Sequence, residues 1–207
     1  ALVVVAAGME SMTRAPHLLM GSRDGYTYGS IEVLDHMAFD GLTDAFDKVS
    51  MGASTEALNA RYEVTRDAQD AVAARSHQRA AAAMDAGIFD AEIVPVEVAQ
   101  RKGDPLVVTR DEGVRPDTTV ESLGRLRAAF AEGGTITAGN ASQISDGASA
   151  VILTTRSHAD ENGWDVLAVV GAAGQTAGPD NSLHAQPARA IEQALGRQGI
   201  AAGDLDL

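Results

Sequence analysis

Hydrophobic and polar positions fall into two patterns along this chain, one typical of strands and one of helices. Short apolar blocks run from Leu2 to Ala6, from Ala148 to Leu153 and from Val166 to Ala172, with a more mixed run from Glu92 to Val98. Blocks of this length, free of polar alternation, predict strands buried on both faces. Ala7-Gly8 is expected to turn the chain out of the first. Thr65 to Ala86 follows the other pattern, with Val72, Ser76, Arg79 and Ala83 three to four residues apart. Thr65 suits a helix N-cap, Asp67 complements the helix dipole and Gly87 stops the helix. Thr118 and Glu121 have the spacing of a capping box, opening a helix through Ser122, Leu123, Leu126 and Arg127. Two more helices are predicted, one from Arg156 to Asn162 closed by Gly163. The other runs from Gln186-Pro187 to Gly199, with proline in its first turn. Between Leu18-Leu19-Met20 and the Tyr28–Val33 run, Ser22-Arg23-Asp24-Gly25 gives a hairpin signal.

The stretch from Gly133 to Thr154 organises the rest. An extended Thr135-Ile136-Thr137 leads into the loop Ala138-Gly139-Asn140-Ala141-Ser142. Ser145-Asp146-Gly147 and the strand Ala148–Leu153 follow. Small and turn-forming residues let a ligand approach the backbone N–H and C=O groups closely. A loop of this kind beside a buried strand is how α/β folds commonly build sites. The alternative is a plain structural turn.

Composition narrows the function. The 207 residues are 45% hydrophobic but only 4% aromatic, so the core is aliphatic and alanine-rich. A net charge of −13 argues against nucleic acid as a partner, and a polyanionic ligand would need local basic residues. With no cysteine, the chain holds no disulfide, thiolate nucleophile or thiolate metal site. No histidine has a companion at metal-ligand spacing, so no metal is expected. No apolar stretch approaches a membrane span and no signal peptide is evident, so a cytoplasmic location is expected. Both ends interrupt candidate strands, which predicts an internal fragment of a longer protein.

Five segments, in order, resemble one family, the thiolases. TAGNAS followed by SDGASAV is similar to TAGNASGxNDGAAA. VVVAAGMESMTRAPHLL is similar to VVVAGGMESMSxxPxLL. GLTDAF and then MGASTE are similar to GLTDAF…HMGxTAE, with Ser50 where the family often has histidine. RDAQDAVAARSHQRAAAAMDAGIFDAEIVPV follows the family pattern almost position for position, and DEGVRPDTTVESLGRLRAAF resembles DExxRxxTTxExLxxLxPAF. The Rossmann and P-loop motifs are absent, which disfavours a generic nucleotide-binding domain.

The resemblance implies a layered α-β-α-β-α thiolase-like α/β fold. Residues 1–12 would be a strand of the N-terminal half, and 13–137 an inserted loop domain with a tetramerisation hairpin at about 17–37. Residues 138–162 would complete that half, and 163–207 would begin the C-terminal half. The implied activity is acyl transfer between coenzyme A thioesters, making or cleaving 3-oxoacyl-CoA. A histidine-activated cysteine attacks, a second cysteine moves the α-proton, and N–H groups and water hold the oxyanion. None of those catalytic groups is in this chain. What the resemblance carries over is a wall for the coenzyme. Leu42 and Met51 would line the tunnel. Arg115, Ser122 and Leu126 would lie toward the adenine end, and Ala138, Ala141 and Ser142 along the pantetheine arm. Acyl-CoA is then the substrate, with no prosthetic group, and a homotetramer is the assembly. Gln143 replaces the usual glycine and would narrow the slot. From the residues alone, Arg115 reads as a surface ion pair, His77 as solvated and Arg101-Lys102-Gly103 as a charged turn. Glu10 reads as a catalytic carboxylate or one tied to backbone or a neighbouring chain. A non-catalytic acyl-CoA or lipid-binding module of the same fold is the alternative function.

Overall fold

The computed structural model describes residues 2–180 and 182–206. In chain order the elements are β1 (Val3–Ser11), β2 (His17–Leu18), β3 (Leu34–Asp35), α1 (Met51–Asn59), α2 (Arg66–Asp85), β4 (Val96–Val98), β5 (Leu106–Val108), α3 (Val120–Gly124), β6 (Asp146–Thr154), α4 (Arg156–Asn162) and α5 (Gln186–Gln198). A 3₁₀ turn covers Met12–Arg14 and a π-helical turn Met37–Gly41. The chain divides into two compact units, one formed by Ala1–Leu58 with Ile144–Leu207 and the other by Asn59–Gln143.

In the first unit, β1 and β6 form a nine-residue antiparallel ribbon with Val5 opposite Ile152, Gly8 opposite Ser149 and Ser11 opposite Asp146. Both expected strands are present, but β1 continues through Ala7-Gly8 to Ser11, because the partner strand supplies hydrogen bonds along its whole length. The predicted burial is not found. Val5 is 65% exposed and Ile152 69%, since the ribbon has only two strands and, among the described residues, these side chains are left uncovered. The expected strand over 166–172 does not form either. A strand needs a neighbouring edge, and none pairs with this segment among the described residues; at its end Ala172 is bonded by a side chain of α5, and the residues just beyond it take further polar contacts from that helix. Gln198 Oε1 accepts from the Ala172 amide, Gln193 Oε1 from the Gln175 amide, and Arg189 donates to the Gly178 carbonyl. The hairpin is present as β2 and β3, with His17 opposite Asp35 and a long loop instead of a two-residue turn. Both predicted C-terminal helices form, and each ends at a glycine of positive φ, Gly163 at 66° and Gly199 at 73°.

The second unit is built on α2. Thr65 Oγ1 accepts from the Ala68 amide as expected of an N-cap, and the chain leaves the helix through Gly87 at φ 69°. The buried face of α2 is Asp70, Ala74 and Ala81, whereas Val72 points to solvent. Helix α3 packs on α2. It is shorter than expected, ending at Gly124, and its capping box is Thr119 with Ser122 instead of Thr118 with Glu121. Strand β4 covers only the last three residues of the predicted run. It pairs with β5, and the Arg101-Lys102-Gly103 turn lies between them with Gly103 at φ 87°.

Candidate functional site

The centre of the second unit is polar. Asp70 is 2% exposed and its carboxylate is held from two sides. Arg66, one helical turn earlier, reaches Oδ2 at 2.7 Å, and Asn140 Nδ2 donates to Oδ1 at 2.9 Å. The same guanidinium donates to the Leu123 carbonyl (2.6 Å) and the Leu126 carbonyl (3.1 Å), so it ties α2 to the end of α3. A buried ion pair holds only when its remaining hydrogen-bonding capacity is used, as it is here.

Asn140 transmits this order to the small-residue loop. Its Oδ1 accepts the Thr137 amide (2.7 Å), and its Nδ2 also donates to the Thr135 carbonyl. Thr137 is fully buried. Its carbonyl accepts the Asn140 and Ala141 amides, and its hydroxyl accepts from the Gly139 amide. The Thr135 hydroxyl in turn accepts from Asn59 and Gln69. The loop over 137–141 is therefore a closed turn clamped to α2 by a side chain of its own.

Gly139 is needed for space. A Cβ there would lie 2.5 Å from Leu123 Cδ2 and 2.6 Å from Leu126 Cδ1. That approach brings together candidate residues far apart in sequence. Leu126, half exposed just after α3, meets the loop carrying Ala138, Ala141 and Ser142. Ser122 lies one turn earlier on α3. Its hydroxyl accepts the Thr119 amide and donates to the Thr119 carbonyl, so it is engaged in the cap. Next to it, Glu121 titrates below the usual carboxylate range because its own backbone N–H and then the Thr119 hydroxyl bond the charged form.

Arg115 lies on the segment between β5 and α3. The expected surface ion pair is not found: no carboxylate pairs with its exposed guanidinium among the described residues. Its backbone is fixed, with His77 Nδ1 accepting the Arg115 amide at 3.2 Å and the Thr118 amide donating to its carbonyl. His77 is accordingly a half-buried acceptor and not a solvated side chain.

Leu42 and Met51 lie in the first unit, joined by the Met51 amide donating to the Leu42 carbonyl at 2.9 Å. Between them Asp44 closes the loop. Its carboxylate accepts the Phe46 and Asp47 amides, and those bonds, Asp47 first, hold its pKa down. Ser50 accepts from the Ala53 amide and so caps the start of α1.

Glu10 is exposed on β1 opposite Gly147, with no ion pair among the described residues. The sequence reading missed the Arg66–Asp70–Asn140 network. Its signal was available: an arginine and an aspartate four apart on a helix face each other. Among the described residues no helix is long and apolar enough to cross a membrane, and no cluster of three His, Asp or Glu side chains is placed to hold a metal.

The chain resembles known proteins over nearly its whole length. The profile of the family described as "Thiolase, N-terminal domain" matches residues 1–157. The chain is 56% identical over 205 residues to a probable acetyl-CoA acetyltransferase of Mycobacterium tuberculosis, covering 99% of this chain and 52% of that protein. It is 45% identical to a probable acetyl-CoA acyltransferase of Staphylococcus epidermidis, covering 99% and 52%. Among solved structures, the acetyl-CoA acetyltransferase of Syntrophomonas wolfei superposes with a TM-score of 0.92 at 34% identity, over 99% of this chain and 51% of that one. Human mitochondrial 3-ketoacyl-CoA thiolase, solved in complex with CoA, gives 0.83 at 33% identity, covering 99% and 51%. The chain thus spans about half the length of the curated relatives it matches. Matched over most of its length by the family profile and by relatives of this identity, the chain belongs to the thiolase family and has its α/β fold.

Proposed function

We propose that the protein containing this chain is an acetyl-CoA acetyltransferase that makes or cleaves 3-oxoacyl-CoA through a cysteine acyl-enzyme. In this reading the chain supplies a wall for the coenzyme and contacts between subunits, and its catalytic groups lie elsewhere in the protein. The cellular setting that goes with it is cytoplasmic fatty-acid metabolism by a dimer of dimers.

The observation that carries the reading is the clamped small-residue loop. Asn140 fixes the turn and Gly139 lets Leu126 close over it; Ala138 and Ser142 stand exposed, while the Ala141 amide is used within the turn by the Thr137 carbonyl. An amide-bearing pantetheine arm needs a narrow surface of alternating donors and acceptors held rigid beforehand, because ordering a loop on binding costs affinity. The unpaired Arg115 guanidinium suits the nucleotide end, as a planar cation that stacks on a base and pairs with phosphate.

The test is thiolysis of acetoacetyl-CoA by the full-length protein and by its Arg115→Ala variant. The expected result is turnover by both, with KM for coenzyme A raised about tenfold in the variant, the cost of a charge-assisted contact. Absence of turnover, together with no coenzyme A binding by calorimetry, would reject the reading.

A further inference from the structure

Two side chains from different parts of the second unit hold the segment that carries Arg115. One is His77, from the middle of α2, which accepts the Arg115 amide. The other is Gln143, one residue beyond Ser142. Its Nε2 donates to the Gly113 carbonyl at 3.4 Å, and its amide group fills the space beside Gly113. A Cβ on Gly113 would lie 1.7 Å from Gln143 Oε1 and 2.4 Å from Cδ. Gly113 is not among the positive-φ glycines, so a side chain there would meet no backbone strain, only the movable end of Gln143. The glutamine is therefore turned toward the 111–115 segment. It links the residue following the small-residue loop to the stretch two residues before Arg115.

We propose that Gln143 is a positioning residue: by latching onto Gly113 it presents the Arg115 guanidinium to the anionic nucleotide end of an acyl-CoA. This rests on the reading of Arg115 given above. It assigns to Gln143 the opposite effect from a side chain that crowds the pantetheine arm. Gly113 and Gln143 act as one unit, since either an added Cβ at 113 or a lost amide at 143 opens the same contact.

The test uses the full-length protein and two thioesters, acetoacetyl-CoA and acetoacetyl-pantetheine, which lacks the nucleotide. Gln143→Gly is expected to raise KM for the coenzyme A ester about three- to tenfold, the factor given by one ordinary hydrogen bond, with kcat held. KM for the pantetheine ester should not move. Gly113→Ala should give the same pattern by displacing the glutamine. The double variant should match either single variant instead of multiplying their effects, because coupled sites are not additive. A KM that falls for both esters would identify Gln143 as a steric narrowing of the slot and overturn the proposal. So would multiplying effects of the two substitutions, or equal rises for both esters. Arg115→Ala separates the two levels: if it leaves KM for the coenzyme A ester unchanged, the reading of Arg115 fails and the latch with it. If it raises KM while Gln143→Gly does not, the latch alone is wrong.

Discussion

Asn140 uses its whole side-chain amide inside the protein, and the small-residue loop depends on that. Its Oδ1 accepts the amide of Thr137, which is fully buried, and its Nδ2 serves the Asp70 carboxylate and the Thr135 carbonyl. Replacing it with alanine leaves a buried N–H without an acceptor and a buried carboxylate with one donor fewer. Unsatisfied buried groups cost about 1–3 kcal/mol each, so Asn140→Ala should destabilise the protein by roughly 2–4 kcal/mol. It should also remove hydrogen-exchange protection at the Thr137 amide. Unchanged protection there would show that the clamp does not hold the turn. Asn140→Asp is no rescue, because it sets a second carboxylate against Asp70. The residue-level chemistry was partly legible in the sequence. Asparagine beside glycine announces a turn, and the Arg66/Asp70 spacing announces a helix-surface pair. What one helix face could not show is that Asp70 points inward, toward a loop seventy residues later.

At the scale of elements, Asp146 pins one end of the β1–β6 ribbon. Its carboxylate accepts the Thr13 hydroxyl at 2.5 Å, the Thr13 amide at 3.0 Å and the Ser11 hydroxyl at 3.2 Å. Those bonds, the Thr13 hydroxyl first, hold its pKa below the ordinary 3.8. A carboxyl that binds its proton less readily when folded stabilises the fold above its ordinary pKa. That contribution disappears as pH falls from there through the folded-state value. Protection factors along β1 and β6, taken relative to the acid-slowed intrinsic exchange of an unfolded chain, should therefore fall as pH drops through and below 3.8. In Asp146→Asn that additional acid sensitivity should be absent, and a parallel acid response in both proteins would rule Asp146 out as its source. Existence of the elements was readable where one pattern dominated, as in α2 with its threonine cap and closing glycine. It was misread where two adjacent residues offer the same chemistry. Thr118 and Thr119 both carry cap hydroxyls, each with a polar residue three positions on, and the backbone selects Thr119 with Ser122. The segment over 166–172 has strand composition, but strand pairing is a property of two segments, and no described strand pairs with it; its last residue, Ala172, is bonded by Gln198 of α5 instead.

Burial is the property that only the whole molecule decides. The apolar blocks of β1 and β6 have the sequence of strands covered on both faces, yet in this chain Val5 and Ile152 form an exposed cross-strand pair, with Val4 and Leu153 on the opposite face also largely open. Contiguous apolar surface of this kind marks a face that another layer covers. The chain spans about half the length of the curated relatives it matches, and those relatives have residues beyond the matched part available for such a layer. On the function proposed above, the reactive centre lies outside this chain. Acyl transfer through an acyl-enzyme needs a thiolate that can attack a thioester and leave again, and the chain has no cysteine. The 207 residues expressed alone should therefore bind a hydrophobic dye such as ANS strongly and give no thiolysis of acetoacetyl-CoA. The full-length protein should show weak dye binding and turnover. Because both preparations contain the clamped loop, Gly113 and Gln143, a difference in turnover between them isolates what the additional residues supply. Turnover by the isolated chain would mean that a group other than a cysteine performs the attack, and the acyl-enzyme reading would fall. Weak dye binding by the isolated chain would mean that the ribbon is covered from within these residues or by a second copy of them, a choice that sedimentation at two concentrations resolves.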